Sequence, residues 1–160
     1  MRRPEKGFSL IELLIVVAII LIIAAIAIPN LLRARIQANE ASAVASIHAI
    51  NTAELSYSSA FPNIGFTAIL ANLGDGGTIP CPGTATASCY IDANLASGTK
   101  SGYAFTYIVD ASTTPSLRYT LNADPVNRGI SGQRSFYSSD SNITRYNPSV
   151  AASSSDSALQ

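Results

Sequence analysis

Apolar side chains are distributed unevenly along this chain of 160 residues. From Phe8 to Ile28 almost every position is apolar, and Glu12 is the one ionisable side chain in the run. A helix over this run would be roughly 31 Å long at about 1.5 Å per residue, which matches the ~30 Å hydrocarbon core of a bilayer. The pattern therefore predicts a helix that can span a membrane.

A second helical pattern follows the apolar run. Neither glycine nor proline occurs between Asn30 and Ala60. Apolar side chains recur there at helical spacing and form one stripe on a helix, namely Leu32, Ile36, Ala43, Ile47, Ile50 and Tyr57. Pro29 lacks the amide hydrogen that would bond to the carbonyl of Ala25. We therefore expect one helix from about Phe8 to about Ser59, with a helix break at Pro29 in the form of a bend or local unwinding.

Beyond this helix the alternation of apolar and polar positions takes the period of two that is typical of strands. Gly102–Asp110 and Ser116–Asn122 show it most clearly, with a hairpin-length connection between them. Arg134–Ser138 and Ile143–Tyr146 are weaker candidates, and Ala68–Leu73 is a candidate short helix. The predicted fold class is α+β, with the long N-terminal helix packed on a small antiparallel sheet of three to four strands.

Composition divides the chain into six segments. Glycine and proline are frequent between the helix and the strands, which predicts turns, including one at Gly74–Gly77. Serine and alanine dominate the C-terminal end, which is typical of a mobile tail. The predicted segments are a leader (1–7), a membrane helix (8–28), the amphipathic half of the same helix (29–60), a variable loop region (61–101), the antiparallel sheet (102–149) and a flexible tail (150–160).

Charge and residue inventory argue against several functions. The net charge at pH 7 is zero, which gives no electrostatic case for binding nucleic acid. His48 is the single histidine, which excludes most catalytic triads, and we predict that the chain is not an enzyme. We predict no cofactor and no metal site, because His48 has no ligand partner at suitable spacing and Asp124 and Asp140 are isolated.

Four further charged side chains lie on the second half of the helix, namely Arg33, Arg35, Glu40 and Glu54. Their ordinary interpretation is a solvated helix face, and we expect that here.

The orientation of the chain in a membrane follows from its first residues. Three basic residues and one acid, Glu5, precede the apolar run. This excess favours a cytoplasmic N-terminus, with the long C-terminal part across the membrane. An ordinary secretory signal peptide cleaved after Ala25-Ile26-Ala27 is an alternative, but Glu12 and the length of the apolar run count against it.

Cys81 and Cys89 are the only cysteines. An even number of cysteines in an exported protein favours a disulfide. A metal site would need two further ligands, and none is evident. We therefore predict a disulfide between Cys81 and Cys89.

Glu12 needs a partner or a function. A carboxylate in a membrane helix costs about 2.5–3.5 kcal/mol on insertion scales, and less near a helix end. Glu12 could cap the helix N-terminus, whose dipole favours an anion, or reach the lipid headgroups. It could also pair with a positive group of another molecule. Taken alone, this residue leaves both interpretations open.

The sequence Lys6-Gly7-Phe8-Ser9-Leu10-Ile11-Glu12, with the apolar run and Pro29 after it, resembles the N-terminal signature of bacterial type IV pilins and type II secretion pseudopilins. The resemblance extends to Pro29 and is weak beyond it. It implies that a prepilin peptidase cleaves after Gly7 and N-methylates Phe8. It also implies that Glu12 pairs with the terminal amine of a neighbouring subunit in a helical filament.

The resemblance implies a structural subunit of a type IV pilus, or fimbrium, that serves adhesion, twitching motility or DNA uptake. The lack of a tryptophan-glycine segment and of a clear acidic calcium loop favours a pilin over the alternative, a pseudopilin or minor pilin of a secretion or uptake system. Two further hypotheses are a signal-anchored binding domain and electron transfer along a filament through Phe8, Tyr57 and Phe61. The expected partners are more copies of the chain, the prepilin peptidase and the inner-membrane assembly machinery. The expected location is the inner membrane for the precursor and the cell surface for the filament.

Overall fold

The computed structural model describes residues 8–77 and 80–159. Gly7 and the rest of the predicted leader lie outside the described residues. The chain forms two compact units, of which the first ends at Arg35 and the second begins at Ile36.

The first unit contains the apolar half of helix α1 (Leu10–Ala60). The large apolar side chains from Leu10 to Leu32 are exposed, because no described residue of this unit covers them. Among the described residues, α1 is the one helix whose length and composition suit a membrane span, a criterion that a secretory signal sequence would also meet. The single long helix predicted from the sequence is confirmed.

Helix α1 continues through Pro29, so the predicted helix break does not take the form of an end or an unwound turn. Pro29 removes only the hydrogen bond to the carbonyl of Ala25. The bonds of the adjacent turns keep the residues on both sides helical. A bend of the helix axis at Pro29 stays a prediction.

The second unit contains an antiparallel sheet. Its strands follow one another in chain order as β1 (Thr99–Lys100), β2 (Tyr103–Val109), β3 (Tyr119–Pro125), β4 (Ser135–Ser139), β5 (Arg145–Asn147) and β6 (Ser157–Ala158). A 3₁₀ helix (Leu70–Leu73) and the short helix α2 (Ala93–Ala96) precede the sheet. The α+β class is confirmed, whereas the prediction of three to four strands is wrong. The sequence pattern does not predict strands β1 and β6, because each has only two residues and cannot display an alternation of apolar and polar positions.

The core of the second unit lies between α1 and one face of the sheet. Four residues of the predicted stripe, Ala43, Ile47, Ile50 and Tyr57, are buried there. The sheet contributes the inward side chains of its central strands, which are Tyr103, Phe105, Tyr119, Leu121, Ala123 and Phe136. Apolar and polar residues alternate along β2 and β3 because every second side chain faces the helix.

The loop after α1 is fastened to the segment before β3. The N–H of Phe66 donates to the carbonyl of Ser116 at 2.9 Å, and the N–H of Ser116 donates to the carbonyl of Ile64 at 2.8 Å. Gly65 lies between these bonds with φ of +79°, and a Cβ there would lie 2.2 Å from the carbonyl oxygen of Ser116. Only glycine fits this close approach.

The C-terminal segment, for which the composition predicts a flexible tail, forms defined contacts. Strand β6 pairs with β5, and Nδ2 of Asn122 donates to the carbonyl of Ala152 at 2.7 Å. The carboxylate of Asp156 accepts the N–H of Ser153 at 2.7 Å and Nδ2 of Asn147 at 2.9 Å. The short polar side chains that suggested disorder are used in turn hydrogen bonds.

Candidate functional site

The candidate processing and assembly site is the beginning of α1. Ser9 precedes the first helical residue, and the carboxylate of Glu12 accepts the N–H of Ser9 at 3.0 Å. This is the return half of a capping box, in which an acid at the third helical position reaches back to the cap residue. The carboxylate also lies at the positive end of the helix dipole. The capping interpretation of Glu12 therefore has a geometric basis in the single chain.

The same carboxylate keeps capacity for a second partner. Its bond to Ser9 uses Oε2, and Oε1 has no hydrogen bond to any described residue. A carboxylate offers about four lone-pair sites in total. Glu12 is exposed, and Phe8 beside it is 86% exposed. A positive group of another molecule could approach this carboxylate without displacing the cap.

Two further carboxylates of α1 are buried, so the expectation of a solvated face is wrong for Glu40 and Glu54, which are 5% and 0% exposed. Arg33 and Arg35 are exposed, as expected. The sequence did contain a signal for the buried pair. Both acids continue the apolar stripe at its own spacing, since the buried positions of this face are Glu40, Ala43, Ile47, Ile50, Glu54 and Tyr57.

Glu40 joins α1 to the segment before β4. Its Oε1 accepts the N–H of Gln133 at 2.9 Å and the N–H of Arg134 at 3.0 Å, and its Oε2 accepts Nε of Arg134 at 2.7 Å. Burial alone would raise the pKa of Glu40, but the two backbone bonds and the guanidinium of Arg134 outweigh it and lower this pKa. Glu40 is therefore held as an anion with three donors around it.

We expect Glu40→Ala to lower the free energy of unfolding of the second unit by about 3 kcal/mol, because it leaves two backbone N–H groups and a guanidinium without their acceptor. Chemical denaturation of the full chain in detergent would measure this, followed by near-ultraviolet circular dichroism of tyrosine. All seven tyrosines lie beyond residue 36, so the signal reports the second unit. Gln37→Ala, at an exposed position one turn earlier, should change the midpoint little. Equal losses in both variants would contradict the role given to Glu40.

Glu54 has a different environment. Its Oε2 accepts the N–H of Thr67 at 3.0 Å, whereas Oε1 is buried without a hydrogen-bond partner among the described residues. Burial raises the pKa of Glu54 to about 7, although the bond from the N–H of Thr67 and the nearby hydroxyl of Tyr107 act in the opposite direction. The hydroxyl of Tyr107 donates to the carbonyl of Thr67 at 3.0 Å, which closes a small polar cluster inside the core.

A disulfide joins Cys81 and Cys89, whose Cα atoms are 6.4 Å apart. It closes the loop region between the 3₁₀ helix and α2. Among residues 8–77 and 80–159, no group of three or more His, Cys, Asp or Glu side chains is placed to hold a metal ion. His48 is exposed on α1.

Residues 2–28 match a family described as the prokaryotic N-terminal methylation motif. The type IV wide pilus major component PilA4 of Thermus thermophilus is 68% identical over 38 residues, which are 24% of this chain and 29% of that protein. The type IV major pilin protein PilA of Myxococcus xanthus is 48% identical over 53 residues, which are 33% of this chain and 24% of that protein.

The stretches matched by these two relatives are 38 and 53 residues long. The chain spans less than a third of the length of each of these two relatives. No solved structure gives a significant match. The resemblance predicted for the first residues is confirmed.

Proposed function

We propose that this protein is a pilin, the structural subunit of a type IV pilus. The observation that carries the proposal is the methylation motif joined directly to an apolar helix that is exposed in the single chain. About 20 residues of apolar helix must be covered by lipid or by other copies of themselves. Relatives of this segment are named as major components of pili, and a helical polymer supplies such cover.

Processing prepares the chain for assembly. In this proposal a prepilin peptidase cleaves after Gly7 and N-methylates Phe8, which creates a positive amine four residues before the carboxylate of Glu12. Two opposite charges about 4 Å apart attract by about 4 kcal/mol at an effective dielectric of ~20. Neither charge is stable alone in hydrocarbon, so pairing between neighbouring subunits relieves both.

The location of the protein then changes with its state. The precursor stands in the inner membrane with its basic leader in the cytoplasm and its second unit on the far side. After cleavage, the inner-membrane assembly machinery transfers the subunit into the filament, which extends from the cell surface. The polymer, rather than a catalytic site, would serve adhesion, twitching motility or DNA uptake.

Intact mass and N-terminal sequencing of the protein from its native host test this proposal. We expect a chain that begins at N-methylated Phe8 in the fraction sheared from the cell surface. A Gly7→Val variant, with the scissile position blocked, should begin at Met1 and be absent from that fraction. A wild-type chain that begins at Ile28 would mean signal-peptide cleavage after Ala27. That result, or a chain that begins at Met1 in every fraction, would overturn the proposal.

A further inference from the structure

The face of the sheet that points away from α1 has a concavity of about 300 Å³ at one end. Strands β2, β3 and β4 form its floor, and the segments that follow or precede them form its rim. The side chains that matter for its chemistry are Ile108, Asp110, Arg118, Thr120, Tyr137 and Asp140.

The register of the sheet brings these residues together. Ile108 pairs with Thr120, and Thr120 pairs with Ser139, so these three form a row across the floor. Because β2, β3 and β4 are antiparallel, the end of β2, the beginning of β3 and the end of β4 meet at one edge of the sheet. Three charged residues, Asp110, Arg118 and Asp140, stand next to these strand ends and form the rim.

Most polar side chains of the concavity make no hydrogen bond within the described part of the chain. The side chains of Arg118, Thr120, Tyr137 and Asp140 make no hydrogen bond or ion pair with any described residue. Asp110 uses one carboxylate oxygen to accept the N–H of Ser112 at 3.0 Å. The backbone of the rim is fixed, since the N–H of Asp110 donates to the carbonyl of Arg118 at 2.9 Å. The rim therefore presents exposed charged side chains on a backbone that this hydrogen bond holds in place.

The charges limit what this frame can bind. Two carboxylates and one guanidinium give the rim a net charge of −1, which disfavours phosphate and other anions. The guanidinium of Arg118 disfavours a divalent cation, and no metal-ligating cluster occurs in the described part of the chain. The volume is at the lower end of the ~300–1,000 Å³ range of ligand pockets, which suits a small molecule.

A neutral sugar ring matches what remains. Its hydroxyl groups would donate to the carboxylates of Asp110 and Asp140 and accept from Arg118. The half-exposed ring of Tyr137 offers an apolar face to the C–H face of a pyranose. We infer that this concavity is a binding site for a neutral saccharide. All its residues belong to the second unit, so the inference does not depend on filament assembly.

Saturation-transfer-difference NMR on the full chain tests the site. The chain would be purified in lauryldimethylamine oxide, because detergents with sugar headgroups would compete. Glucose, galactose, mannose and N-acetylglucosamine would be titrated separately. We expect at least one to receive saturation, most strongly on the protons of one ring face. Tyr137→Ala and Asp140→Asn should each raise its apparent dissociation constant about tenfold, as expected for the loss of one contact to a charged or aromatic group.

Thr106→Ala is the matched control, since Thr106 is exposed on the same face of β2 but does not line the concavity. It should leave the saturation unchanged, and tyrosine circular dichroism would verify the fold of every variant. The inference is overturned if none of the four sugars receives saturation from the wild-type chain. It is also overturned if Tyr137→Ala and Asp140→Asn bind as the wild type does, or if inorganic phosphate displaces the sugar, which would indicate an anion site.

Discussion

Glu12→Gln should leave cleavage after Gly7 intact and reduce filament yield by more than tenfold. The amide oxygen of glutamine still accepts the N–H of Ser9, so the start of α1 keeps its cap. The variant loses only the negative charge. An attraction of about 4 kcal/mol between this charge and the amine of a neighbouring subunit, at an effective dielectric of ~20, would be lost at every contact of that kind.

The measurement is the amount of subunit in the sheared surface fraction, with electron microscopy of that fraction and N-terminal mass in the membrane fraction. Glu12→Asp is the charge-preserving control, and we expect it to retain a larger part of the filaments. If Glu12→Gln gave filaments at the wild-type level, the carboxylate would act as a helix cap and nothing more.

The features that could be predicted from the sequence are those that depend on consecutive residues. The methylation motif and the apolar run are local, and α1 (Leu10–Ala60) begins and ends within two residues of the helix that the pattern predicts. Strand β3 lies three residues later than the predicted Ser116–Asn122. The reason is not local, because the backbone of Ser116 is engaged with the loop around Gly65 and Leu117 is exposed.

The features that the sequence concealed depend on partners far along the chain. Glu40 stands on the apolar stripe, but the donors that make its burial favourable are 93 and 94 residues away. Asp140 is isolated in the sequence, and only the sheet register brings it to the same rim as Asp110 and Arg118. A pattern of residue types predicts which side chains lie on the same face of a helix or strand. The partner of a buried charged group depends on the tertiary fold, which the pattern does not contain.

Glu54→Gln should remove a loss of stability that the wild-type chain shows as the pH rises. Glu54 is fully buried, and three tyrosines influence it or are influenced by it, namely Tyr57 of α1, Tyr107 of β2 and Tyr119 of β3. No cation contacts it among the described residues. Burial raises the pKa of Glu54 from 4.5 to about 7, and burial also raises the pKa of Tyr107 and Tyr119, which stay neutral in this range.

The direction follows from proton binding. The folded state binds the proton of Glu54 more tightly than the unfolded state, so this stabilisation is fully present below about pH 4.5 and is lost as the pH rises through about 7. At about 1.36 kcal/mol per pKa unit, this rise in the pKa of Glu54 corresponds to about 3 kcal/mol of folding stability. Glutamine has no proton to lose, so its contribution should be constant across this range.

Denaturation of the full chain in detergent at pH 5 and pH 8.5, followed by the tyrosine signal, would measure the difference. We expect the wild type to lose about 2.5 kcal/mol over this interval and Glu54→Gln to lose little. Glu40→Gln is the internal control, because the pKa of Glu40 is lowered and its stabilisation is lost as the pH falls. A wild type equally stable at both pH values, or a Glu54→Gln chain with the wild-type slope, would mean that Glu54 is ionised in the folded core at neutral pH. In that case Oε1 would need a donor that the buried cluster around Thr67 does not provide.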